Sequence, residues 1–190
     1  MVINYTEPLS EEFIERNQEL VHWDYISCYQ KLSEPFIERH KERIQWYWIS
    51  RYQKLSKEFQ KKHDIEISED NWLYKPVNFK LKRLKECGLY EIQDDRYIIA
   101  YKGIRSDNYS KFNFQYQYLV GQTYTSHCDY NVDNENSFGL SAWTLEEARK
   151  YCNEKIIKVR IPISKLGAIV HEGHKLRCME FEVIEEVNLK

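Results

Sequence analysis

Leu9-Ser10-Glu11-Glu12-Phe13-Ile14-Glu15-Arg16 returns as Leu32-Ser33-Glu34-Pro35-Phe36-Ile37-Glu38-Arg39 and again, decayed, as Leu55-Ser56-Lys57-Glu58-Phe59. Leu9, Leu32 and Leu55 stand 23 residues apart. The second half of the unit keeps the same register: Trp23, Ile26, Ser27, Tyr29 and Gln30 match Trp46, Ile49, Ser50, Tyr52 and Gln53. Gapless identity in both halves marks a tandem repeat rather than a compositional bias. Each unit reads as two short helices. Ser10 and Ser33 are placed to cap the first, with an acceptor facing the free amides of the opening turn. Pro35 falls in that first turn, where a missing amide costs little. Counted from the cap Ser10, Phe13 and Ile14 and then Asn17 give an i, i+3, i+4 spacing, and Trp23, Ile26 and Tyr29 follow at i+3 steps. Helices this short are marginal alone, so they are expected to stand by stacking on neighbouring units.

The pattern fades after Phe59. The units therefore read as about residues 9–31, 32–54 and 55–70, within a helical-repeat arm of residues 1–70. Beyond Pro76, Phe79, Leu81 and Leu84 predict a helix from Asn78 to Cys87, stopped by Gly88. Residues 71–88 are thus read as a connecting and capping segment. From Leu89 the period changes. Strands are expected at Tyr97 to Tyr101, at the alternating Phe112, Phe114, Tyr116 and Tyr118, and at the Thr-Tyr-Thr after Gly121. Further strands are expected at Phe138 to Trp143, Ile156 to Ile163 and Leu176 to Val187. Thr144 is placed to cap one clear helix. The Asn-rich run Asp129 to Ser137 exceeds the usual connection length and is a candidate lid or binding loop. The fold class is α+β: the arm, then a small mixed or antiparallel sheet domain with one main helix over residues 89–190.

The chain has 190 residues, of which 42% are hydrophobic and 31% charged, with a net charge of -2. That composition excludes wholesale disorder. It also argues against nucleic acid as a partner, because a bulk electrostatic grip needs a concentrated basic surface. No apolar run reaches the roughly 18 residues that cross a bilayer, so no membrane association is expected. Met1-Val2-Ile3-Asn4-Tyr5 lacks signal-peptide order, and the five cysteines include no CxxC. A reducing, cytoplasmic setting is the expectation.

The run W-x-x-I-S-x-Y-Q-K-L-S-E-x-F-I, over about residues 5–60, resembles short tandem repeats of uncharacterised giant-virus and large-phage proteins. That resemblance implies a viral or phage accessory protein, in the host cytoplasm, that binds a host protein and interferes with a host defence system. It brings no chemistry and no cofactor. The repeats are then either a scaffold without a site or a docking surface built from the residue types that dominate interface hot spots. On the docking reading the partner-binding residues are Trp46, Tyr47, Trp48 and Arg51, with Tyr47 and Trp48 as the exposed anchors.

A second set of residues lies in the later part. Lys102-Gly103-Ile104-Arg105, the run Phe138-Gly139-Leu140-Ser141-Ala142-Trp143, and Glu180-Phe181-Glu182 come in that order. Together they look like the arginine, serine-strand and E-x-E motifs of the ADP-ribosyltransferase superfamily. The resemblance implies an enzyme that takes NAD and modifies a host macromolecule. Arg105 would hold the cofactor phosphate, Ser141 would brace the nicotinamide pocket, Glu182 would be catalytic and Glu180 would orient the acceptor. The residues also allow a plainer reading. Met179, Phe181 and Val183 alternate, which places Glu180 and Glu182 together on the other, solvent-facing side of a strand.

His171, His174 and Cys178, with His127, Cys128 and Cys152, supply nitrogen and sulfur donors, but without paired CxxC or HxxxH spacing no metal site is expected. Cys128 and Cys152 read as small buried hydrophobes rather than nucleophiles.

Overall fold

Serine caps start the arm. In the computed structural model, which describes residues 3–5, 7–112, 114 and 116–188, the first helices are α1 (Glu11–Arg16), α2 (Trp23–Tyr29), α3 (Glu34–Arg39), α4 (Trp46–Tyr52) and α5 (Lys57–Lys62). The hydroxyls of Ser10, Ser33 and Ser56 accept from the amides of Phe13, Phe36 and Phe59 at 3.1, 3.3 and 3.1 Å. Pro35 sits in the first turn of α3. Six- and seven-residue helices hold only by packing. Here Ile14, Ile26, Phe36, Ile37 and Ile49 are fully buried in one apolar cluster that also takes Leu32, Ile44, Leu55 and Phe59.

Side chains then lock alternate helices together, α1 to α3 and α3 to α5. Glu11 accepts from the Ser33 amide at 2.6 Å and hydroxyl at 3.0 Å, and Glu34 accepts from the amide and hydroxyl of Ser56. Arg39 pairs with Glu15 at 2.8 Å, and Lys62 with Glu38 at 2.8 Å. Two buried glutamines staple the backbone. Gln30 accepts from Leu9 N–H at 2.8 Å and donates to the carbonyl of Glu7 at 3.1 Å. Gln53 accepts from Leu32 N–H at 3.0 Å and donates to the carbonyl of Gln30 at 2.7 Å.

The chain separates into two compact units, Met1–Tyr74 and Lys75–Lys190. The segment read as a connector is thereby divided. Trp72 is buried and Tyr74 hydrogen-bonded within the first unit, whereas helix α6 (Val77–Cys87) belongs to the second. Gly88 ends α6 in the left-handed conformation, φ 67°. Its Lys80 is buried, with the ammonium donating to the Leu166 carbonyl at 2.6 Å.

The second unit is built on one antiparallel sheet. Its strands are β1 (Glu91–Gln93), β2 (Tyr97–Ile104), β3 (Thr123–Thr125), β4 (Leu140–Trp143), β5 (Lys155–Pro162), β6 (Leu166–Val170), β7 (Lys175–Cys178) and β8 (Glu180–Val187). Their order is β3-β8-β5-β2-β4-β7-β6, with β1 also on β2. The core pair is β2 and β5, in register from Tyr97↔Pro162 to Ile104↔Lys155. Helix α7 (Leu145–Tyr151) lies on β2 at Gly103. A Cβ there would stand 2.4 Å from the carbonyl oxygens of Ala148 and Cys152, so only glycine permits the approach.

Three local expectations are corrected. Phe112, Phe114, Tyr116 and Tyr118 form no strand; among the described residues of that stretch only Gln117 makes an isolated bridge, to Tyr109. The alternation instead reflects Tyr116 and Tyr118 folding into a ring cluster with Tyr124, while Phe112 and Phe114 remain exposed. Thr144 occupies the N-cap of α7, but its hydroxyl makes no capping bond and is buried without a hydrogen-bond partner. The run Leu176 to Val187 breaks at Met179, whose amide donates to the Lys165 carbonyl at 2.9 Å, and β6 precedes it as a strand not expected from the sequence.

Candidate functional site

Ile49 sets the phase of α4. It is fully buried, so residues three away on either side turn inward, Tyr47 turns out, and Trp48, expected as an exposed anchor, lies half-buried on the flank. Tyr52 is accordingly buried. Trp46 is half-buried against the arm core and stacks on His63, ring centroids 4.7 Å apart. It is therefore a packing residue and not an exposed anchor. Tyr47 faces out, 58% exposed. Arg51 lays its guanidinium over the Tyr47 ring at 4.9 Å, and Trp48 meets Tyr47 edge-on at 4.6 Å. Trp48 is steadied from behind by Tyr52, stacked at 5.7 Å with an interplanar angle of 11°.

On α2 the corresponding turn carries a second ring group. Tyr25, also exposed, touches Tyr5 at 5.1 Å, His22 at 5.8 Å and Tyr29 at 6.0 Å. Among the described residues Arg51 makes no ion pair, so its charge is balanced only by the π-face beneath it. Rigid aromatic rings beside an arginine with an unspent charge can bind by stacking and desolvation. They offer no nucleophile and no acid or base.

Of the residues singled out in the second unit, Ser141 lies on the strand beside β2, and the two glutamates lie apart from it and from Arg105. Arg105, just past β2, pairs with Asp107 at 2.6 Å and covers the Phe114 ring at 4.8 Å. Ser141 sits in β4 opposite Arg177. Glu182 pairs with Arg160 at 2.6 Å, and Glu180 with Lys165 at 3.6 Å. As the alternation implied, both glutamates share the half-buried face of β8, with Phe181 and Val183 buried on the other. That strand lies inside the sheet, between β3 and β5.

Glu182 opposes Arg160, and Arg160 opposes Ile99. Glu182 is thus three strands from Ser141, about 14 Å across the sheet, and about 20 Å along the strands from Arg105. The three do not share a cleft. Among the described residues no group of three or more His, Cys, Asp or Glu side chains could hold a metal ion. Cys128 and Cys178 are buried, and burial pushes the Cys128 thiol up to about 12 and the Cys178 thiol higher still, which leaves neither as a nucleophile.

What sequence reasoning missed are the buried cations. Arg177 is fully buried and donates to the carbonyls of Asp129, Asn131 and Asn134 at 2.7, 2.6 and 2.6 Å. Lys175 donates to the Glu135 carbonyl at 2.9 Å. The Asn-rich loop is therefore pinned to β7 and is not a free lid. Lys102 is buried with its ammonium on the Ser141 carbonyl at 3.0 Å and over the Tyr118 ring at 5.2 Å; burial draws it down to about 8. The available signal was three basic residues at inward positions of otherwise apolar strands.

No protein-family model, no curated protein and no solved structure matches this chain. Among the described residues no helix is long and apolar enough to cross a membrane.

Proposed function

We propose that this chain is an accessory protein of viral or phage type that acts by binding a host protein through the aromatic face of its helical arm. Within the same proposal the arm is a tandem stack of 23-residue units. The spacing of the caps Ser10, Ser33 and Ser56 supports that reading, as do the glutamine staples at Gln30 and Gln53. The observation that carries the function is the exposed Tyr47 ring held between Arg51 and Trp48. Keeping a large ring and a guanidinium in contact at the surface pre-orders both, which lowers the entropy lost on docking. The ADP-ribosyltransferase-like reading is not taken further, because Glu182 stands far along the sheet from Arg105 and three strands from Ser141.

The test is affinity capture from host lysate on the full chain, set beside a Tyr47→Ala/Trp48→Ala double variant whose circular dichroism matches wild type. One host protein retained by wild type and reduced at least about tenfold on the variant is the expected result, the size of a hot-spot loss. Equal recovery of every captured protein on both would sink the proposal.

A further inference from the structure

We propose a second docking surface, on the outward side of α1, whose occupant is an amphipathic helix of a partner protein carrying two glutamates four residues apart. It rests on the reading of the arm as stacked units. Within the arm, α3 and α5 each receive such a pair. Glu11 and Glu15 of α1 bind Ser33 and Arg39 of α3, and Glu34 and Glu38 of α3 bind Ser56 and Lys62 of α5. Between those two polar contacts on the receiving helices lie Phe36 and Phe59, both buried.

Helix α1 carries most of that set, Ser10, Phe13 and Arg16, with Asn17 where α3 and α5 bring His40 and His63 to the second glutamate. Among the described residues that set is unmet. Arg16 is exposed and makes no ion pair among the described residues, and Phe13 is only partly buried. Leu20, 66% exposed, stands in the place where Arg43 reaches Glu19 one unit later. The surface thus offers one guanidinium, one hydroxyl and two apolar side chains in an arrangement the arm itself twice fills with a Glu-x-x-x-Glu helix.

The end of a second copy of the arm does not suit it. At the two positions where a glutamate would accept, α5 presents Lys57 and Lys61, and a lysine brought against Arg16 repels it. The fitting occupant is an acidic helix from a different protein, with an apolar residue to lie on Phe13 and Leu20.

Fluorescence anisotropy on the full chain decides the matter. The probe is a labelled, helix-locked peptide with glutamates four apart beside a leucine stripe; its twin has lysines in their place. Wild type should bind the glutamate peptide, and Arg16→Glu should weaken it by about tenfold or more, as like charges brought together at an interface do. The lysine peptide should reverse that preference and bind Arg16→Glu better than wild type. Tyr47→Ala/Trp48→Ala should leave the titration unchanged, so failure of the aromatic face and failure of this surface are read separately. Absence of binding of the glutamate peptide to wild type, or binding indifferent to Arg16→Glu, would overturn the proposal.

Discussion

The hydroxyl of Tyr74 donates to the carbonyl of Gln53 at 2.8 Å and accepts from the amide of Leu55 at 3.0 Å. One turn of the arm earlier, the Gln53 amide serves the carbonyl of Gln30 and the amide of Leu32 in the same way. A single phenol oxygen, both donor and acceptor, does for the last helix pair what a carboxamide does for the others. The arm is therefore closed by a residue outside the repeated pattern.

Tyr74→Phe keeps the ring and removes that oxygen, leaving a carbonyl and an amide without their partner. A loss of about 1–2 kcal/mol is expected. Hydrogen exchange is the direct measurement: protection of the Leu55 amide should fall about tenfold, since 1.4 kcal/mol is a factor of ten. Unchanged protection at Leu55 would mean that the tyrosine merely covers the stack.

Much of the arm could be read from the chain because its rules are local. A serine just ahead of a helical stripe is a cap signal written within one turn of chain, and Ser10, Ser33 and Ser56 all cap. In the sheet the decisive partners are distant. Alternation placed Glu180 and Glu182 on one face of β8, but only the register through Arg160 to Ile99 shows how far they stand from Arg105. Arg177 finds its acceptors more than forty residues away, which no periodicity records. The Phe112 to Tyr118 alternation misled for a related reason. Rings that pack on other rings produce the same period as rings that line a sheet. Trp46 and Tyr47 are adjacent and alike in composition, and only the phase set by Ile49 tells the inward ring from the outward one.

Arg177 is expected to be among the most sensitive positions of the second unit. Arg177→Ala strips three loop carbonyls of a charged donor and leaves a cavity beside Cys128 and Gly139, where the arginine stem now packs. A cost of about 3–5 kcal/mol follows from the unsatisfied acceptors and the void together. Arg177→Lys can reach fewer of the carbonyls and should fall between. Urea unfolding followed by near-ultraviolet circular dichroism gives the size, and limited proteolysis should show new cuts within residues 129–137. A variant within about 1 kcal/mol of wild type would show that the loop holds itself.

Lys102 gives the sheet a pH dependence whose sign can be worked out. Burial draws its ammonium from 10.5 down to about 8 in the folded chain, while the unfolded chain keeps the ordinary value. Below pH 8 the lysine is charged in both states, and the fold bears the full cost of burying that charge. Between about 8 and 10.5 the folded form sheds its proton and the unfolded form does not. The unfolded state then binds more protons, so stability rises with pH across that window and levels off above it. Lys102→Met has nearly the same length and no charge. It forgoes one hydrogen bond, to the Ser141 carbonyl, and the contact with the Tyr118 ring. At pH 7 the variant should be the more stable by about 2 kcal/mol, once the lost hydrogen bond is set against the relieved charge. The difference between the two proteins, in which the titration of groups not coupled to Lys102 cancels, should shrink steadily as the pH is raised from 7 to 10. Paired thermal melts over that range measure it. A difference that stays constant with pH would show that Lys102 is held for its shape and that its charge is already solvated in the folded chain.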